Sequence, residues 1–361
     1  MAAAVRPLPR GRRGSSLRVV YLLEDTGLWG GVKVVLQHAD LLAGRGHQVT
    51  VVSPAGPPSW HRLQAGFAQV PALTPACLPP ADVTVATYWT TIAAAAAAPA
   101  GVAVHYCQGY EGQITELAHH HAAIDEAYRT PIPCLAVSAH LAELITRRFA
   151  RPCRVVTPSV SSAWRPRLRL APHRPPRIVV LGQFELPLKG VRTALAAIRQ
   201  LREEGLACDL VRISQGPLTA AETSVLAADE YHHLISPGQV ATLFRNADLL
   251  LAPSWEPEGF GLPVLEALAS GLPVVASDIS SFRGFASQAA ALVHPDDAAA
   301  FARAAAAILE HAPHWRSLRR RARAVARRFR PAVVATALEN ALAWVAGRQW
   351  AAEISPPGHA R

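Results

Sequence analysis

Two carboxylates eight positions apart, Glu258 and Glu266, bracket Gly259-Phe260-Gly261-Leu262-Pro263-Val264-Leu265. Gly259 and Gly261 open the backbone to close approach by a ligand. Pro263 suits the first turn of a helix, where its missing N–H costs nothing. A helix starting there aims its N-terminal N–H groups and dipole at the glycine loop, an arrangement that suits phosphate. Glu266, one turn in, repels phosphate and is better matched to accepting hydrogen bonds from a sugar's hydroxyls. Lys189 supplies a cation of the right kind. It precedes Gly190 at an expected helix start, where an ammonium neutralises a diphosphate as a point charge. Lys33 is the only other lysine in a chain that otherwise uses arginine.

A third glycine-rich turn, Glu24–Gly31, leads into a helix expected over Val32–Ala43. Gly30 and Gly31 give it the construction for an anionic group, but the G-x-G-x-x-G spacing of a nicotinamide site is missing. Gln108-Gly109-Tyr110-Glu111-Gly112 follows an expected strand, Val102–Cys107, so it sits where ligands bind in parallel sheets. His119-His120-His121 is no metal cluster, because adjacent helical residues point apart. No acidic pair demands a metal, and the expectation is a protein without metal or cofactor.

These groups need a scaffold of alternating strands and helices. Strands are expected at Leu17–Leu23, Gln48–Ser53, Asp82–Ala86, Val102–Cys107, Ile132–Val137 and Arg154–Thr157. Further ones follow at Arg177–Leu181, Cys208–Ile213, His232–Ile235, Leu249–Pro253, Pro273–Ser277 and Ala291–Val293. Helices are expected at Trp89–Ala98, within Ile114–Tyr128, and at Ala139–Phe149, Val191–Glu204, Ala298–Glu310, Arg316–Phe329 and Ala332–Trp344. The alternation predicts α/β architecture with parallel, doubly wound sheets. The 361 residues make two domains. The expected organisation is a disordered basic start (1–16), an N-terminal domain (17–164) and a Pro/Arg-rich linker (165–176). A second domain (177–330) and a closing helix with its tail (331–361) complete it.

The net charge of +10 suits anionic partners such as nucleotide sugars or lipid head groups. Nucleic acid is not expected, since no aromatic-basic interleaving or motif accompanies the charge. Five cysteines without C-x-x-C spacing read as reduced thiols. No apolar run reaches membrane-spanning length, and the short segment after the basic start runs into Glu24-Asp25. The expected location is cytoplasmic; the arginines of Arg316–Phe329 read first as a basic solvated helix face, with peripheral contact to an anionic inner membrane face as the alternative.

The Glu258–Glu266 block, with the strands on either side, resembles the E-x7-E motif of GT-B glycosyltransferases of the family 4 type (glycosyl transferases group 1). Gly30-Gly31 and the later Gly44-Arg45-Gly46-His47-Gln48-Val49-Thr50 are similar to that family's opening. The resemblance implies two Rossmann-like domains facing a cleft, with a retaining, metal-independent transfer of a hexose from a nucleotide-diphosphate sugar. The acceptor is a hydroxyl of a glycan or glycolipid, in cell-surface polysaccharide or glycoconjugate synthesis. It implies that Glu266 holds the ribose, Glu258 and the Gly259–Gly261 backbone position the sugar, and Lys189 stabilises the leaving diphosphate. Phe260, Gln183, Gly216 and Gly31 join the donor side. Gly30, Gln108, Tyr110 and Glu111 form the acceptor side, with Gln108 also carried as catalytic. Departing phosphate takes the acceptor proton. Two positions depart from the family pattern: Gln183 stands where an arginine is expected, and Gln108 where many members carry histidine. These departures keep an alternative open, a catalytically degenerate nucleotide-sugar or glycan-binding protein of the same fold.

Overall fold

The computed structural model describes residues 16–353. Apart from Ser16 and Glu353, the expected disordered start and tail lie outside the described residues. The chain divides into two compact units, Met1–Pro158 with Ala332–Arg361, and Ser159–Pro331.

The first unit runs β1 (Arg18–Leu22), α1 (Gly30–Ala43), β2 (Gln48–Ser53), β3 (Gly66–Gln69), β4 (Val83–Ala86), α2 (Ile92–Ala96), β5 (Val102–Cys107), α3 (His121–Tyr128), β6 (Cys134–Ala136), α4 (Ala139–Phe149) and β7 (Cys153–Val155). Its strands pair in the order β3-β2-β1-β4-β5-β6-β7, all parallel. Strand burial on both faces explains the apolar run Val19–Leu22 and the buried Val83–Ala86, apolar but for Thr84.

The second unit runs β8 (Arg177–Leu181), α5 (Val191–Glu203), β9 (Asp209–Ser214), α6 (Ala220–Val225), β10 (Glu230–His233), α7 (Pro237–Arg245), β11 (Leu249–Ala252), α8 (Leu262–Ala269), β12 (Val274–Ser277), α9 (Ser280–Phe285), β13 (Ala290–Val293), α10 (Ala298–Leu309) and α11 (Ala312–Ala326). Its sheet order is β10-β9-β8-β11-β12-β13, again parallel. Both orders are the doubly wound pattern, reversing beside the first strand. One face of the second sheet is covered by α5 and α10, whose Leu195, Ile198, Phe301 and Ile308 pack with Ile178, Leu251 and Trp315. The final helix α12 (Pro331–Ala346) belongs to the first unit, where Arg45 on the β2 side bonds Glu339 at 3.1 Å.

The elements differ from the sequence expectations where side chains compete with the backbone. The helix expected over Trp89–Ala98 opens as a 3₁₀ turn, Trp89–Thr91, because the Thr91 hydroxyl accepts from the N–H groups of Thr87 (3.0 Å) and Tyr88 (3.2 Å). The helix expected within Ile114–Tyr128 likewise splits into a 3₁₀ stretch, Thr115–His120, and α3. Helix α1 begins at Gly30 rather than Val32, so the glycines form its first turn. The short edge strand β3 carries too few apolar residues to announce itself.

The stretch 165–176, read as a free linker, is instead tied to the second unit. Asp248, buried just before β11, accepts hydrogen bonds from the backbone N–H of Arg177 (2.7 Å) and of His173 (3.1 Å), and from His173 Nδ1 (2.9 Å). Arg169 completes its shell. Leaving these donors without their carboxylate is costly, since a buried ion pair broken from one side costs about 3 kcal/mol or more. Asp248→Ala is therefore expected to lower unfolding stability by about that amount, read by chemical denaturation.

Candidate functional site

The doubly wound order dictates where the site falls. Strands β8 and β11 lie side by side at the reversal of the second sheet, so the loops leaving their carboxyl ends are neighbours. The loop after β8 carries Gly182, Gln183 and Lys189. The loop after β11 carries Glu258, Gly259, Phe260 and Gly261. A backbone hydrogen bond from Trp255 N–H to the Leu188 carbonyl, 2.9 Å, joins them. Next to it, Lys189 Nζ donates to Glu258 Oε2 at 2.7 Å. The two residues that the sequence assigns to diphosphate and sugar are thus brought together and bonded to each other.

Two glycines are required here. Gly190 has φ 58°, and a Cβ on it would be driven into the carbonyl oxygen of Pro253. Gly261 has φ 84°, and a Cβ there would enter the ring of Phe282. Gly190 is the N-cap of α5 and Gly261 the N-cap of α8, neither with a side-chain cap. Helices α6, α7 and α10 of the same unit are capped by Thr219, Ser236 and Asp297. No side chain caps the first turns of α5 and α8; the N–H groups of Thr193 and Val264 turn back to the Gly190 and Gly261 carbonyls, and Pro263 sits in the first turn of α8.

Glu266 sits buried in α8, one turn in. Phe260 keeps only its backbone for the donor-side assignment. Its side chain is buried, stacked on Phe285 at 4.6 Å and edge-on to Phe329 at 5.8 Å, so only its backbone borders the loop. Gly216 lies beside Gln183, Glu185 and Ser214. Its N–H donates to Ser214 Oγ at 3.0 Å and its carbonyl accepts from the Tyr231 hydroxyl at 2.9 Å. Glu256, unassigned by motif, accepts from Ser280 N–H at 2.6 Å and caps α9.

Sequence reasoning passes over Arg212. Its guanidinium, fully buried on β9, donates to the carbonyls of Val180 (2.7 Å) and Gly182 (2.9 Å) and to Glu222 Oε1 (2.6 Å). It braces the turn that presents Gln183 and does not itself reach the loop face. The available signal was an arginine inside an apolar strand with Glu222 ten residues on.

In the first unit, β1, β4 and β5 are consecutive neighbours, so the loops after β1 and β5 converge. A Cβ on Gly31 would lie 3.1 Å from Gln108 Nε2, placing the first turn of α1 against the Gln108 side chain. Gly30 is exposed beside it. Tyr110 and Glu111 turn inward instead. The Tyr110 hydroxyl donates to Asp125, which also takes Arg148 at 2.8 Å. Glu111 is buried and accepts from the Tyr128 hydroxyl at 2.6 Å; burial pushes its pKa up to about 7, with Glu24 adding to the rise. Both hold the loop's shape from beneath. His105 is buried in the core, edge-on to Tyr128 at 5.0 Å, and does not replace a loop histidine. His119 and His120 stack on each other at 4.0 Å, while His121 Nε2 bonds the Ile114 carbonyl at 2.9 Å.

Set beside known proteins, the fold and the site point the same way. Residues 175–311 match the family model described as Glycosyl transferases group 1. A phosphatidyl-myo-inositol mannosyltransferase of Mycolicibacterium smegmatis is 35% identical over 140 residues, which is 37% of this chain and 36% of that protein. The match thus spans about a third of that relative's length. Sucrose-phosphate synthase from Thermosynechococcus elongatus superposes with a TM-score of 0.74 at 18% identity, covering 93% of this chain and 99% of the other. An Anabaena protein, HepE, solved in complex with UDP-glucose, gives 0.74 at 13% identity, covering 90% and 99%. The two parallel sheets have the GT-B fold, and the resemblance read from the Glu258–Glu266 motif is shown by the group 1 match over the unit that carries it.

Two outcomes test the geometry. Gly205 has φ 93° with open space around it, whereas Gly190 has both positive φ and the Pro253 carbonyl. Gly205→Ala is expected to cost about 1 kcal/mol from backbone strain alone, and Gly190→Ala about 2 kcal/mol or more beyond that, compared by thermal melts. For Glu111, a raised pKa means that the folded state holds the proton more tightly. Stability fully present below the unfolded value of 4.5 is lost as pH rises through about 7. Glu111→Gln is expected to remove a loss of roughly 3 kcal/mol that the parent shows on going from about pH 4 to 8 in denaturation series.

Proposed function

We propose that this chain is a retaining glycosyltransferase that moves a hexose, mannose being the first candidate, from a nucleotide-diphosphate sugar to a hydroxyl of a glycolipid or glycan. The observation that carries the reading is the meeting of Lys189 and Glu258 on adjacent loops at the reversal of the second sheet, between two helix N-termini capped only by glycine. The choice of mannose draws on the mannosyltransferase with which 140 residues of the chain share 35% identity.

In this reading the diphosphate displaces Glu258 from Lys189. The ammonium and the N–H groups of α5 and α8 then offset charge that grows on the leaving phosphate, a stabilisation fixed before reaction and independent of a metal. Glu258, released, accepts from hydroxyls of the transferred sugar. Glu266 takes the ribose hydroxyls. Gln183 offers an amide where the family pattern has a guanidinium, so Lys189 carries the side-chain charge at this site. Gly30 and Gln108 of the first unit form the acceptor side, with Tyr110 and Glu111 supporting that loop, and Gly31 stays with the donor. Gln108 is not a base, and the departing phosphate takes the acceptor proton. The activity belongs to the cytoplasmic side of a membrane, where glycolipid acceptors are presented.

Thermal melts with UDP, GDP, dTDP and ADP in the presence of EDTA test this. One nucleotide is expected to raise the melting temperature of the parent, with the shift lost in Lys189→Ala. A matching nucleotide sugar is then expected to be hydrolysed slowly without acceptor. Binding with no turnover of any nucleotide sugar, with or without glycolipid, would support the degenerate binder instead.

A further inference from the structure

Ser159–Pro176 contains four arginines and Ala312–Arg330 eight, and neither stretch holds an aspartate or glutamate. The structure lays them side by side. Pro166 and Arg323 both approach Gly271. Arg319 Nη2 donates to the Arg167 carbonyl, and Arg316 Nη1 to the Leu170 carbonyl at 2.9 Å. Residues 166–170 therefore run as a strap along α11, with the Leu170 and Arg167 carbonyls held by Arg316 and Arg319, three apart on one stripe of the helix.

Along the strap, side chains alternate. Arg167 bonds Asn246 Oδ1 at 3.1 Å, and Arg169 turns in to Asp248 and lies over Trp315 at 5.3 Å. The residues between and beyond them face out: Leu168 is 91% exposed and Leu170 70% exposed. Arg169 is half-buried against Asp248 while Leu168 and Leu170 project, which inverts ordinary burial at these positions. The strap's hydrogen bonds hold Leu168 and Leu170 at the surface, where they add little to the core. Arg316, Arg320, Arg323 and Arg327 stand exposed along the adjoining stripe of α11.

The partner must take two protruding aliphatic groups and many guanidinium charges at once. A second copy of this chain fits poorly, since two leucines fall far short of the area of a stable interface and the facing arginines would repel. Single-stranded nucleic acid stacks on aromatic rings, and Trp164, Trp315 and Phe329 of these two stretches are all buried. We propose that the strap Arg165–Leu170 and the arginine stripe of α11 seat the C-terminal unit on an anionic lipid bilayer. Leu168 and Leu170 enter the headgroup boundary while the guanidinium groups meet lipid phosphates. This rests on the membrane-side part of the function proposed above and assigns it to a surface separate from the loops at the sheet's carboxyl edge.

Cosedimentation of the full chain with vesicles tests it. The parent is expected to pellet with phosphatidylcholine vesicles containing phosphatidylglycerol, to release at high salt, and to stay in solution with pure phosphatidylcholine. The double variant Leu168→Ser with Leu170→Ser, and separately Arg320→Glu with Arg323→Glu, are each expected to weaken binding about tenfold. Melting temperatures and nucleotide shifts, measured on the same proteins, are expected to be unchanged. Leucine-variant binding equal to the parent's would overturn the proposal. Equal binding to uncharged vesicles, or a parent dimer that the leucine variant dissolves, would do so too. Vesicle binding that follows the leucines in a protein that no nucleotide stabilises upholds the surface and overturns the proposed function.

Discussion

The backbone of Gly190 lies against the carbonyl of Pro253, and the carboxyl edge of the second sheet is organised by that approach. Because β8 and β11 are adjacent, the two loops leave the sheet within reach of each other. The missing Cβ lets them close, and the Trp255 to Leu188 hydrogen bond locks the register. Lys189 and Glu258 are then fixed by backbone on both sides. Helix α5 starts immediately after the contact and α8 a few residues beyond Glu258, so two helix N-termini share a single small region. Substituting one hydrogen atom by a methyl group acts on all of these at once.

Buried arginines serve both sheets as braces. Arg212 takes the carbonyls of Val180 and Gly182 and balances its charge on Glu222. Arg151, in the first unit, takes the carbonyls of Ile132 (2.8 Å), Pro133 (3.2 Å) and Tyr128 (3.3 Å). A planar fork of donors satisfies several main-chain carbonyls together. An arginine-rich composition is thus partly structural, and the net charge of +10 overstates the cation available to ligands.

The fold was legible because its signals are periodic. Apolar runs such as Leu249–Ala252 and amphipathic helices such as α5 fall where the alternation puts them. The Glu258–Glu266 block was legible because glycine and proline mark backbone geometry directly. What the sequence hid depends on partners far along the chain. Phe260 reads as a loop residue until Phe285 and Phe329 close around it. Tyr110 and Glu111 look available until Asp125 and Tyr128 claim them. The stretch 165–176 has a linker's composition, and only the burial of Asp248 reveals that it is fastened.

The ion pair between Lys189 and Glu258, 2.7 Å long, has a consequence for selectivity. A lone ammonium in a polar pocket attracts any anion. One already matched to a carboxylate accepts a newcomer only through an exchange, and the favourable margin is the difference between two anions. Singly charged species gain little from replacing Glu258. A diphosphate gains more, and gains further when the displaced carboxylate finds hydroxyl donors on the same molecule. In the function proposed above, the pair would therefore read the whole ligand, charge at one end and hydroxyls at the other, and discriminate against fragments that carry only one of the two.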